Sequence, residues 1–132
     1  MIKRVDHIAV AVKNLDEALG VLNKTFGFEA AHRETIEDQG VEAALIKIGD
    51  GEIELIQPID PEGGVAKFIE RRGEGIHHIC LEVDSIDQEL KSLAEKGVEL
   101  IDKQPRKGLA GRIGFVHPRS TKGILIELAE KV

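Results

Sequence analysis

The stretch His7–Leu19, "HIAVAVKNLDEAL", returns as "HICLEVDSIDQEL" at His78–Leu90, ungapped and at a constant offset of 71 residues. In each copy a short apolar run gives way to a polar break and then to aliphatic residues at helical spacing. The apolar run reads as a strand. The aliphatic stretch reads as a helix, capped by Asn14 or Asp16 in the first copy and by Asp84 or Ser85 in the second. Further out, "GFE" at Gly27 lies over "GVE" at Gly97 with offset 70, and "IEL" at Ile53 over "IEL" at Ile126 with offset 73. A repeat of about seventy residues exceeds a solenoid unit.

The segments between complete the pattern. "VEAALIKIG", a polar turn and "EIELIQP" predict a β-hairpin. "DPEGGVAKFIERRGEG" is a connector with a short helix around Val65 to Arg71. "VELIDKQPRKGLAGR" holds a strand and a Gly-rich loop, and "IGFVHPRSTKGILIELAE" a final strand pair. The expectation is an α+β fold of two paired β-α-β-β-β modules forming a cup-shaped mixed sheet. Residues 1–132 would form one domain: module one about 1–60, the connector helix about 61–73, module two about 74–132.

Composition narrows the function classes. A net charge of −6 and four Phe without Trp or Tyr argue against a nucleic-acid partner, which calls for a basic stripe or a stacking platform. No apolar run approaches the ~18 residues of a membrane span. The single Cys80 cannot form an intramolecular disulfide, which fits a reducing compartment. "MIKRVDHIAVAV" reads as a first strand, and the expected location is the cytoplasm.

The repeat pairs His7 with His78 and Glu54 with Glu127. Strand alternation tests this choice, because successive side chains point to opposite faces. Ile8, Val10 and Val12 share a face for the helix to cover, while His7 sits with Ala9 and Ala11 on the other. Likewise Ile79, Leu81 and Val83 oppose His78, Cys80 and Glu82, and His77 falls in register with the packed set. Glu54 and Glu127 each point away from their apolar neighbours. Any one of these residues alone would read as a structural histidine or a solvated glutamate. Four in equivalent positions of a duplicated module read as a site for one divalent first-row metal, made of two imidazoles and two carboxylates. His32 reads as surface, His117 as a pocket or turn residue, and Cys80 as facing the cavity without an activating base.

These features resemble the vicinal oxygen chelate superfamily, whose paired modules surround a metal. Within it the chain is most similar to the methylmalonyl-CoA epimerase family, through "DHIAVAVKNLDEA", "VAKFIERRGEGIHHICLEV" and "RIGFVHPRSTKGILIELAE". The resemblance implies His7, Glu54, His78 and Glu127 as metal ligands, with Co²⁺ as the metal and Mn²⁺, Ni²⁺ or Zn²⁺ as alternatives. It also implies methylmalonyl-CoA as substrate and a homodimer.

The implied reaction takes the proton from carbon 2 of methylmalonyl-CoA through a thioester enolate and returns one on the opposite face. Bound metal would neutralise the developing oxyanion. Inversion calls for two acid/base groups. Glu127 is one candidate. Some family members carry the other as a glutamate after "QGV", but here Ala43 occupies the ungapped equivalent and Glu42 precedes it. A one-residue slip reverses a strand side chain, so Glu42 serves only if a bulge turns it. Arg106, Lys107, Arg112, Arg119 and Lys122 are available for the CoA diphosphate, beside a Gly-rich loop suited to a lid. The alternatives are a glyoxalase-I-like lyase on a glutathione hemithioacetal and a non-catalytic small-molecule-binding module.

Overall fold

A computed structural model describes residues 1–131. The chain is α+β, and its elements run β1 (Ile2–Ala11), α1 (Leu15–Phe26), β2 (His32–Ile36), β3 (Val41–Ile48), β4 (Gly51–Pro58), α2 (Gly64–Arg72), β5 (Gly75–Val83), α3 (Ile86–Glu95), β6 (Arg106–Gly108), β7 (Gly111–Val116) and β8 (Ile126–Glu130). Each half is therefore β-α-β-β-β, with α2 as the connector. No helix among the described residues is long and apolar enough to cross a membrane.

The chain divides into two compact units. The first is residues His7–His77, with strand order β2-β3-β4-β1. There β1 runs parallel to β4, and β4, β3 and β2 are successive antiparallel neighbours. The second comprises Met1–Asp6 and the chain from His78 onward, with order β5-β8-β7-β6. It repeats the scheme: β5 is parallel to β8, and β7 and β6 are antiparallel.

Helices α1 and α3 begin where side chains satisfy their first amides, which have no partner within the helix. Asn14 caps α1 by accepting the Glu17 N–H, and Ser85 caps α3 by accepting that of Gln88. Of the two possible caps in each copy, the structure uses these. Gly27 ends α1 in the left-handed conformation at φ 75°, where a Cβ would be strained.

Helices α1 and α3 each cover one sheet face with equivalent residues. In the first unit Val12, Leu15, Ala44, Ile46 and Leu55 form the buried cluster, with Leu19 and Leu22 packed on it. In the second, Val83, Ile86, Leu90, Val116 and Leu128 do so. Burying a side chain the size of Leu15 contributes roughly 1.5–3 kcal/mol, so these clusters carry much of each unit's stability. The sequence expectation overreached at Ile8, which remains 37% exposed. Among residues of β1, the cluster under α1 takes Val10, with Val12 just beyond the strand, and not Ile8.

One strand departs from the sequence expectation: the polar stretch after Ala31 forms edge strand β2. The strand expected within "VELIDKQPRKGLAGR" is β6, and Leu100 adds only an isolated bridge to Val116.

Candidate metal centre

His7 and Glu54 belong to the first unit, and parallel register explains how they meet. Glu54 is the register partner of Ala9, two residues beyond His7. Residues two apart on a strand share a face, so the imidazole and carboxylate are diagonal neighbours. His7 Nε2 lies 3.5 Å from Glu54 Oε1. The second unit repeats this: Glu127 is the register partner of Cys80, two residues beyond His78. There Nε2 lies 3.0 Å from Oε1. All four residues are only 4–5% exposed.

Their surroundings differ. Beside His7 stand Ala9 and Ala11, both fully buried and too small to crowd the imidazole. His78 instead meets Phe115 edge-on, with ring centroids 5.3 Å apart and planes at 87°. The Arg106 guanidinium lies 5.6 Å from the centroid of that ring. Asp102 holds both in place, accepting Arg106 Nε–H at 3.1 Å and the Phe115 backbone N–H at 2.8 Å. Sequence reasoning passes over Phe115 and Asp102; the signal available was the alternation of Ile113 and Phe115 with Gly114.

The donor set fits a divalent cation. Two ligand atoms bound at right angles, each about 2.1 Å from one metal, lie ~3.0 Å apart. The His78–Glu127 separation equals that, and the His7–Glu54 separation is half an ångström longer. Imidazole nitrogen with carboxylate oxygen suits borderline first-row metals such as cobalt, nickel, manganese or zinc.

The other sequence candidates fall elsewhere. The β3–β4 ladder is regular from Val41↔Pro58 to Ile48↔Gly51, with no bulge. Leu45 is opposite Glu54, so Leu45 and Ala43 share its face and Glu42 takes the reverse one. Glu42 there accepts from Arg33 Nη2 at 3.1 Å. Arg33 also reaches Asp16 at 2.7 Å, and these carboxylates, Asp16 first, raise its pKa.

His77 is half-buried, with its ring 4.9 Å from that of Phe68 in a T-shaped contact. His117 caps a turn, its Nδ1 accepting the Arg119 N–H at 3.0 Å. Three of the cations considered for the diphosphate have acidic partners: Arg106 with Asp102, Arg112 with Asp87, and Arg119 with Glu99. The Asp87 hydrogen bond holds the Arg112 pKa above its ordinary value.

A buried ionic group not anticipated from sequence lies in the second unit. Asp6, 1% exposed, receives Lys131 Nζ at 2.8 Å and Arg4 Nη1 at 3.1 Å. Arg4 also donates to Glu82 at 2.9 Å. That bond, aided by Lys3, lowers the Glu82 pKa against the opposing effect of burial.

Comparison with known proteins places these features in a family. Residues 6–115 match the family model for the Glyoxalase/Bleomycin resistance protein/Dioxygenase superfamily. The chain is 34% identical over 132 residues to the mitochondrial methylmalonyl-CoA epimerase of Dictyostelium discoideum, covering 98% of this chain and 80% of that protein. It is also 34% identical to the ethylmalonyl-CoA/methylmalonyl-CoA epimerase of Cereibacter sphaeroides, covering 98% of this chain and 99% of that one. Among solved structures it resembles a methylmalonyl-CoA epimerase in complex with methylmalonyl-CoA and NH4+, with TM-score 0.95, 34% identity and coverage of 100% and 96%.

Proposed function

The chain belongs to the Glyoxalase/Bleomycin resistance protein/Dioxygenase superfamily, and from that premise we propose that it interconverts (2R)- and (2S)-methylmalonyl-CoA. The observation that carries this is whole-chain similarity to epimerases, including a neighbour of TM-score 0.95 that holds methylmalonyl-CoA. The same similarity favours an epimerase over the glyoxalase-type lyase. Retention of both His–Glu pairs weighs against a non-catalytic binding module.

His7, Glu54, His78 and Glu127 are proposed to hold one divalent cation, so that residues 1–132 act as a single functional domain. Bound there, the cation supplies Lewis-acid stabilisation of negative charge on a substrate oxygen. The protein's own part is proton movement and positioning. Carbon 2 of the substrate lies between a thioester and a carboxylate, so loss of its proton leaves an enolate delocalised into the thioester. The Glu127 carboxylate is the proposed acceptor of that proton. Strands β5 and β8 fix its place, and the residue is only 4% exposed.

We assign cobalt as the metal by family resemblance, with manganese, nickel or zinc as alternatives. A homodimer rests on the same resemblance. A cytoplasmic location is proposed from the lone cysteine, which fits a reducing compartment.

The test is deuterium incorporation at carbon 2 when methylmalonyl-CoA is incubated with the Co²⁺-loaded protein in D2O, with chirality followed in parallel. Incorporation together with inversion is expected. Absence of both, alongside turnover of a glutathione hemithioacetal, would sink the epimerase reading in favour of the lyase.

A further inference from the structure

Inversion needs a proton delivered to the face of carbon 2 opposite the one that lost it, and Glu42 points away from the face bearing Glu54. We infer that His32, oriented by Glu34, is this second proton-transfer group; the inference rests on the epimerase reading above. Three observations within the first unit carry it.

The first is register. His32 on β2 is opposite Leu45 on β3, and Leu45 is opposite Glu54 on β4. Residues opposite one another share a sheet face. His32, Leu45 and Glu54 thus form one row across three strands, with His32 and Glu54 about 10 Å apart at the usual strand spacing. In the next row Glu34 is opposite the small Ala43, which leaves space above the sheet beside it.

The second is contact. His32 Nε2 lies 3.0 Å from Glu34 Oε1. A carboxylate partner on one ring nitrogen fixes the tautomer and leaves Nδ1 as the working atom.

The third is access. His32 and Glu34 are 52% and 49% exposed, so a ligand can reach the ring and solvent can restore its proton between turnovers. Among the described residues Glu52 also lies on this face, but its register partners are the cation Lys47 on β3 and His7, a proposed metal ligand, on β1. An imidazole, whose nitrogens can each donate or accept, suits a group that must donate in one direction and accept in the other.

The step balances simply. Glu127 takes the proton of one epimer, and the C–H electron pair passes into the thioester as the enolate. The His32 imidazolium then gives its Nδ1 proton to the opposite face. The enolate pair forms the new C–H bond, and the N–H pair stays on the neutral ring. In the reverse direction the roles exchange, and water resets both groups.

The experiment compares exchange with inversion. For the Co²⁺-loaded wild type in D2O, both epimers exchange and interconvert. With His32→Gln, one epimer should continue to exchange at carbon 2 with retained configuration, while inversion falls about 10²–10⁴-fold. Metal content and thermal unfolding should remain at wild-type levels. Glu34→Gln should slow inversion less and shift its pH profile while exchange continues. Wild-type inversion in His32→Gln would overturn the inference, as would equal loss of exchange and inversion. A wild type that neither exchanges nor inverts would instead defeat the underlying epimerase reading.

Discussion

The side-chain oxygen of Gln57 accepts the backbone N–H of Leu15 at 2.7 Å and fastens the first turn of α1 to the end of β4. Glu130 does the same for Ile86 at 3.0 Å, fastening α3 to β8. The duplication therefore extends to how each helix is docked. Leu15 is fully buried, so removing the acceptor strands its amide away from water. Gln57→Ala is expected to lower the unfolding free energy by about 1–3 kcal/mol, measured by urea denaturation. Gln57→Glu, which keeps an oxygen acceptor, should recover most of that loss.

His78 and His77 should separate cleanly in metal binding. His78→Ala removes one of the four proposed ligands and should abolish retention of Co²⁺ after dialysis, read by elemental analysis. His77→Ala should retain it, because that ring packs on Phe68. Wild-type protein should melt higher with Co²⁺ present. A concentration 100 times the Kd stabilises by about 2.7 kcal/mol. EDTA should reverse the gain.

Glu42 on the reverse face predicts a catalytic non-effect. Glu42→Ala should leave the epimerisation rate at the wild-type level, whereas Glu127→Gln should lower kcat by about 10²–10⁴-fold. A large loss of kcat in Glu42→Ala would mean that β3 shifts its register when substrate binds.

Acid stability should report on Glu82. Its folded pKa lies below the ordinary value of 4.5, chiefly through the Arg4 hydrogen bond. A depressed carboxylate pKa stabilises the fold above the unfolded value and loses that contribution as pH falls through the folded one. Glu82→Gln should therefore be less stable than wild type at neutral pH. The two denaturation midpoints should converge as pH drops below 4.5.

Periodicity explains how much of the fold and site is legible in the sequence. The placement of His7, His78, Glu54 and Glu127 against packed neighbours comes from alternation, because β1, β4, β5 and β8 each set a helix-covered face against a polar or small-residue one. Each helix start narrows only to two residues, since Asn14 and Asp16, or Asp84 and Ser85, are equally good acceptors in isolation. Strand β2 stays hidden because four of its five residues are exposed, which removes the alternating signal. His32 reads as plain surface for the same reason; its proposed role depends on a register set by β3. Arg106 illustrates a further limit. Its charge is plain in the sequence, but its placement over Phe115 depends on Asp102 bonding to both, and that requires the folded loop.

The division of the chain also has a consequence for synthesis. His7–His77 is one uninterrupted run, whereas Met1–Asp6 group with the chain from His78 onward. As the polypeptide leaves the ribosome, the uninterrupted run is the first able to close, bringing His7 to Glu54. The opening residues must wait for the last strand, because the buried Asp6 carboxylate takes the Lys131 ammonium at 2.8 Å. A nascent chain therefore carries one His–Glu pair while Asp6 still lacks the Lys131 ammonium. Premature termination would release the first unit with an exposed N-terminal β-segment, a natural target for chaperones and proteases.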